Sequence, residues 1–210
     1  MAGRYPTDHR FDGTLCTEKD GLRMRDHILE TASRLFYEYG IRAVGVDRVI
    51  AEANIAKATL YRHFPSKDDL IVAYLETRSE RALAALQAIV DKAGESPRMR
   101  IAALFEELQR TSDANEFKGC AFVLAVAEHQ ESESIRRVAM HHKDSVRMLI
   151  RDAIGQPGNS GDRIAEQLSL LYDGAMTSVL IYRNSYFIRN ACSAALELLP
   201  PENDQLNDKV

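Results

Sequence analysis

The chain contains no tryptophan, only 7% of its residues are aromatic, and its three cysteines, Cys16, Cys120 and Cys192, stand far apart. An odd number of widely spaced cysteines argues against a disulfide framework and against zinc spacings such as C-x-x-C, so reduced thiols in a cytoplasmic protein are expected. No apolar run approaches the roughly 18 residues that a membrane span needs. Behind Met-Ala-Gly-Arg-Tyr-Pro there is no apolar core of a secretory signal, so none is expected. Sustained alternation of β-branched and polar residues is also missing, and no Asn-Gly or Asp-Gly hairpin sits between such runs. Catalytic signatures are lacking too: there is no Walker loop, G-x-S-x-G or H-E-x-x-H. The carboxylates of Glu106 and Glu107 read as solvated helix surface. No enzyme, cofactor or metal site is therefore expected. His129, His141 and His142 invite a metal reading, but adjacent helical residues point about 100° apart, so His141 and His142 do not easily share an ion.

What remains is helical periodicity over almost the whole length. With 45% hydrophobic and 28% charged residues the composition is that of an ordinary globular protein, and the expected fold is all-α with about nine helices. Residues 1–21 are polar, with scattered Gly, Pro and Thr, and read as a disordered arm. A first helix over about 22–39 carries the stripe Ile28, Ala32, Leu35, Phe36 and Tyr39 and ends at Gly40. A short second helix covers about 46–53, with Val46, Val49, Ile50 and Ala53 inward, and a third about 57–64, stopped by Pro65. Ser66 and Asp69 form a capping-box-like start to a fourth helix over about 67–93. At 1.5 Å per residue that helix is roughly 40 Å long, enough to belong to two domains. Ser96-Pro97 opens a fifth helix. The sixth covers about 119–129, the seventh runs from Ser132 to near Gly155, the eighth covers about 162–183 and the ninth about 185–199. The run from Gly155 to Gly161 reads as a loop, and 200–210 as a flexible tail.

Charge is distributed unevenly. The net charge is −4, yet residues 21–67 carry 8 basic and 5 acidic side chains, while residues 68–210 carry 16 basic and 22 acidic. A basic block on an acidic body suits a protein that meets a polyanion at one end only.

The second and third helices are joined by only Asn54, Ile55 and Ala56, the connection length of a helix-turn-helix. In that motif the third helix lies in the DNA major groove, braced by the second. Lys57, Ala58, Thr59, Arg62 and His63 would then face outward, with Leu60 and Phe64 as anchors. The run Val49-Ile50-Ala51-Glu52-Ala53-Asn54-Ile55-Ala56-Lys57-Ala58-Thr59-Leu60-Tyr61-Arg62-His63-Phe64-Pro65-Ser66-Lys67-Asp68-Asp69-Leu70 resembles the signature of the TetR family of repressors. The pattern Ile28, Ala32, Leu35-Phe36, Gly40 fits at the right distance, and the resemblance covers about residues 22–75. It implies a DNA-binding domain over 22–69, an effector-binding and dimerisation domain over 70–199, and double-stranded operator DNA as partner. Lys57, Ala58 and Thr59 would meet base edges. Tyr61, His63 and Lys67 resemble the family's phosphate contacts, which position without specifying, and Arg48 and Arg62 are plausible additions. The chain departs from the family pattern with Asn54 and Ala58 where glycine is usual, Ala56 where serine is frequent, and Gly45 where threonine or serine is usual. Asn54 is the substitution best suited to a positive φ, whereas Gly45 and Ala56 remove two capping hydroxyls.

In the C-terminal half, Gly119-Cys120-x-Phe122 with Glu128, and Asp173-Gly174-Ala175, resemble motifs of one branch of the family. The eighth helix carries two apolar stripes: Leu168, Leu171, Tyr172, Ala175, Val179 and Tyr182, and then Leu170, Gly174, Thr177 and Ile181. A helix apolar on two sides is buried on both. A homodimer interface of four helices is therefore expected from Leu171, Ala175, Val179, Tyr182, Phe187, Ala191, Ala194 and Leu198, and a two-fold dimer matches a palindromic operator. Candidates for an effector cavity are Leu104, Phe105, Leu108, Phe122, Val126, Met140, Met148, Tyr172 and Met176, each of which also reads as plain core. Their Met and Phe content hints at a small apolar or aromatic effector. Cys120 could alternatively sense oxidants, which would require exposure and a depressed pKa. The expected function is an effector-released repressor. A DNA-binding regulator without an effector is the alternative, and an activator differs only in operator placement.

Overall fold

The computed structural model describes residues 18–113 and 117–201. Cys16 and most of the expected N-terminal arm and C-terminal tail lie outside them. Among the described residues there are nine helices and no strand, so the fold is all-α. The chain divides into two compact units between Pro65 and Ser66.

The first unit holds α1 (Glu18–Tyr39), α2 (Val46–Ala53) and α3 (Lys57–His63). Helix α1 begins before Leu22, so residues 18–21 are helix rather than arm. Its apolar positions recur every three or four residues, and Ile28, Leu29, Ala32, Leu35 and Phe36 are buried together with Val49, Ala53, Leu60 and Phe64 of the same unit. Tyr39 departs from the expected stripe. It is exposed, with the Arg48 guanidinium 3.7 Å above its ring, a cation–π contact that needs one open ring face. Gly40 follows α1 at φ +88° and donates its N–H to the Phe36 carbonyl at 3.0 Å, a left-handed cap in which any Cβ is strained.

The second unit holds α4 (Lys67–Lys92), α5 (Pro97–Ser112), α6 (Ala121–Glu128), α7 (Glu133–Ile154), α8 (Gly158–Tyr182) and α9 (Tyr186–Glu197). Ser66 and Asp69 form a complete capping box: the Asp69 N–H donates to Ser66 Oγ at 3.1 Å and the Ser66 N–H donates to the Asp69 carboxylate at 2.9 Å. Ser96 caps α5, whose first residue is Pro97. Helix α5 is the hub, packed against α4, α7, α8 and α9. Ile101, Leu104, Phe105 and Leu108 of α5 share one core with Val146, Leu149, Ile150 and Ile154 of α7 and Leu168, Tyr172, Ala175 and Val179 of α8.

The run from Gly155 to Gly161 is only partly a loop, because α8 starts at Gly158. Gly155 closes α7 at φ +63° and Pro157 precedes α8 in an extended conformation. A Cβ on Gly161 would fall 2.0 Å from the Gln156 carbonyl oxygen, so glycine there lets the incoming chain lie against the first turn of α8. A cluster of loop-favouring residues thus serves a close backbone approach at a helix start.

Candidate nucleic-acid interface and ligand cavity

The turn between α2 and α3 hinges on Asn54. Its φ and ψ are 52° and 51°, left-handed, and its N–H donates to the Ala51 carbonyl at 3.2 Å. Asparagine is among the few side chains that accept this conformation at small cost. Ala56 then precedes α3 in the extended conformation of an N-cap without a capping side chain, and Gly45 does the same before α2. Both helices therefore start with backbone N–H groups that no neighbouring hydroxyl satisfies, leaving them to solvent or to an anion. His27 ties the unit together from α1, its Nε2 lying 3.0 Å from the Ala53 carbonyl at the end of α2. Nothing in the helical periodicity marks this bond, because it joins residues 26 positions apart.

Helix α3 is short and exposes one face. Lys57, Ala58, Tyr61 and Arg62 are exposed and Thr59 is half-buried, while Leu60 and, just after α3, Phe64 are buried. Lys57 pairs with Asp47 of α2 at 3.5 Å, across an exposed surface where such a pair is weak. Arg48, exposed on α2, is held over Tyr39 rather than merely solvated. His63 is the exception to the expected outward face: it is half-buried, and its Nε2 is enclosed without a hydrogen-bond partner among the described residues. Burial first, and then the charges of Arg62 and Arg25, hold its pKa below the ordinary histidine value. Lys67 is half-buried at the first turn of α4. Burial lowers its pKa, against the opposing pull of Glu128 and Asp68.

In the second unit a cavity of about 280 Å³ lies among α4 to α8. Of the residues expected there, Leu108, Phe122, Tyr172 and Met176 line it. Leu104 and Phe105 are buried in the core beside it, with Phe105 packed edge-on to Tyr172 at 5.5 Å. Val126 is not among its lining residues, and Met140 and Met148 are exposed, on the outward faces of α7. Periodicity alone did not separate these faces, because α7 presents methionines outward where charged residues would be usual. Periodicity also missed polar members of the wall: His142, Lys143 and Asp173. His142 is buried and stacks flat on Phe122, ring centroids 3.7 Å apart, and its Nδ1 lies 2.9 Å from the Ser79 hydroxyl. Burial, followed by Lys143, Arg78 and His141, depresses its pKa to about 4. Lys143 and Asp173 form an ion pair in the wall. The two short motifs singled out in the sequence meet here. Gly119, Cys120, Phe122 and Asp173 all border the cavity, and Gly119, at φ +80°, lies so close to Leu180 that a Cβ would fall 2.7 Å from its Cδ2.

The apolar faces of α8 divide differently from the expectation. Ala175 and Val179 are 3% and 4% exposed and belong to the core of their own chain. The second stripe faces outward instead, with Leu170 and Ile181 68% and 67% exposed. Tyr182, Tyr186 and Leu198 are exposed as well, and Phe187 stacks on Tyr182 at 4.6 Å. Leu171, Ala191 and Ala194 are half-buried. Within the chain, α8 turns Leu168, Tyr172, Ala175 and Val179 of its first stripe to the core shared with α5 and α7, while Leu170 and Ile181 of the second stripe are exposed.

The sequence and the fold both resemble those of known proteins. Residues 28–74 match the family described as "Bacterial regulatory proteins, tetR family". A solved structure from Streptomyces coelicolor, SCO4454, a TetR-family transcriptional regulator, is 31% identical, covers 84% of this chain and 95% of its own, and superposes with a TM-score of 0.72. The HTH-type transcriptional regulator BetI of Rhizobium meliloti (strain 1021) is 26% identical over 156 residues, 71% of this chain and 74% of that one. The HTH-type transcriptional regulator SAB2452 of Staphylococcus aureus (strain bovine RF122 / ET3-1) is 42% identical over 52 residues, 25% of this chain and 28% of that one.

Proposed function

This chain belongs to the TetR family of bacterial transcriptional regulators, and on that premise we propose that it is a cytoplasmic homodimeric repressor released from a palindromic operator by a small molecule. The observation that carries the reading is the pairing of an outward-facing α3, bearing Lys57, Ala58, Thr59, Tyr61 and Arg62 after the left-handed Asn54 turn, with a cavity in the second unit. Lys57, Ala58 and Thr59 at the start of α3 address base edges. Tyr61, Arg62, His63, Lys67 and Arg48 position the protein on phosphates. The outward apolar face of α8 and α9 supports an isologous dimer, whose two α3 helices then address two half-sites related by the same two-fold axis. The cavity favours effector release over a regulator that binds DNA alone, since a core without a ligand has no reason to stay open.

The reading is tested by selecting fragments of genomic DNA on the purified protein, with a salt titration on the best site. One short palindrome should be enriched, with affinity falling steeply as salt rises. Enrichment of salt-sensitive background alone would refute sequence-specific regulation.

A further inference from the structure

We infer that the cavity takes a neutral, flat aromatic molecule carrying a hydroxyl or carbonyl group, with Tyr172 and His142 as its hydrogen-bonding partners. The inference rests on the reading of this cavity as the effector site and names the chemistry of what enters it.

The shape comes first. At about 280 Å³ the cavity lies at the small end of ordinary ligand sites, which run from about 300 to 1,000 Å³. It suits one or two fused rings. Phe122 and His142 stack face to face, 8° from parallel, as a flat aromatic pair in the wall, and Phe117 and Met176 add further apolar surface. Planar ligands pack against such a wall with little loss of conformational freedom.

The polar groups come second. Tyr172 is 8% exposed and lines the cavity, its ring edge-on to Phe105, and its phenol hydroxyl can both donate and accept. His142 is 7% exposed, and Ser79 occupies its Nδ1, so Nε2 is the ring atom left to a ligand. A guest that hydrogen-bonds to both groups is oriented by them, as the few polar groups of an apolar ligand site do. A hydroxyl both donates and accepts, and so satisfies His142 in either tautomer.

Charge comes third. The cationic wall residues Arg78 and Lys143 are balanced by Glu107 and Asp173; Lys143 is paired with Asp173, and Glu107 receives Arg110 Nε at 2.8 Å. The imidazole beside them stays uncharged near neutral pH. A charged guest would be desolvated without a free counter-charge, whereas a neutral one loses nothing.

Three probes share one ring system: 2-naphthol, naphthalene and 2-naphthoate. Calorimetric titration of the full chain near pH 7.5 should give 2-naphthol at least about tenfold tighter binding than either of the others. Tyr172→Phe, which removes only the hydroxyl, should erase most of that advantage and leave naphthalene binding and the melting temperature unchanged. Preferential binding of 2-naphthoate, an unchanged profile in Tyr172→Phe, or no binding of any of the three would overturn the inference. Release of operator DNA is followed separately by fluorescence anisotropy. Binding of 2-naphthol without release would overturn effector control while supporting the ligand class. Release by 2-naphthoate but not by 2-naphthol would do the reverse.

Discussion

The two units keep their chemistry in opposite places. In the first, the side chains proposed to meet DNA stand on the outer face of a seven-residue helix, and the buried side chains, Leu60 and Phe64, hold that helix. In the second, the groups that would meet a ligand point inward, onto a cavity walled by the same residue types that build the core. A polar residue on an exposed short helix has few structural duties, so its presence carries information. A buried Leu, Phe or Met serves core, cavity and interface alike, and only its neighbours tell which.

The largest effect that would test this contrast lies on α8. Leu170→Asp places a charge on the outward stripe and should convert dimers to monomers, because burying an unpaired charge at an interface costs several kcal/mol, of order 3–5. Helical content should be kept, since Leu170 is exposed within the chain. Ala175→Asp should instead unfold the second unit, because its site is core. Sedimentation and circular dichroism distinguish the two outcomes, and an intact Leu170→Asp dimer would move the interface elsewhere.

The next effect is a pH dependence. In the folded chain His142 titrates at about 4, against 6.5 for an ordinary histidine. Between those values the unfolded chain binds the proton and the folded one does not. Stability therefore falls as pH drops from about 6.5 toward 4, by up to roughly 3 kcal/mol. Urea unfolding of the chain and of His142→Phe across that range measures the contribution. If the two lose stability in parallel, His142 is not the group responsible.

In the first unit the expected effects are smaller and concern DNA. Thr59→Ala should relax preference at one base pair by about 1–3 kcal/mol. Lys67→Ala should weaken all sites alike and lower the salt slope by about 1. Equal loss of preference from both would dissolve the division between base-reading and positioning residues. The smallest effect is a gain: Ala56→Ser supplies the missing cap of α3 and should stabilise the first unit by about 1 kcal/mol, read as a raised melting temperature. No gain would mean that the extended Ala56 backbone already satisfies those N–H groups through solvent.

Much of this arrangement was legible in the sequence. The α2 and α3 starts, the left-handed Asn54, the Ser66–Asp69 capping box and the buried Leu60 and Phe64 follow from local rules of spacing and capping. The α8 start was not legible, because Gly158 to Gly161 look like loop until Gly161 is seen against the Gln156 carbonyl. Met140 and Met148 were misplaced for a related reason: hydrophobicity marks a face of α7 without naming what lies opposite. His63 read as fully outward, and only packing shows it half-buried with its Nε2 enclosed.

The sequence alone determined the helices, the DNA-binding motif and the family, since these rest on contacts between residues near in the chain or on a specific string of side chains. The tertiary structure decided which stripe of α8 is core and which is free, and that Ser79 and His142, 63 positions apart, share a hydrogen bond. It also decided that Tyr172, 8% exposed, lines a cavity. The physical reason is that burial of an amphipathic helix depends on which neighbours arrive, and no periodicity within one helix encodes the identity of another.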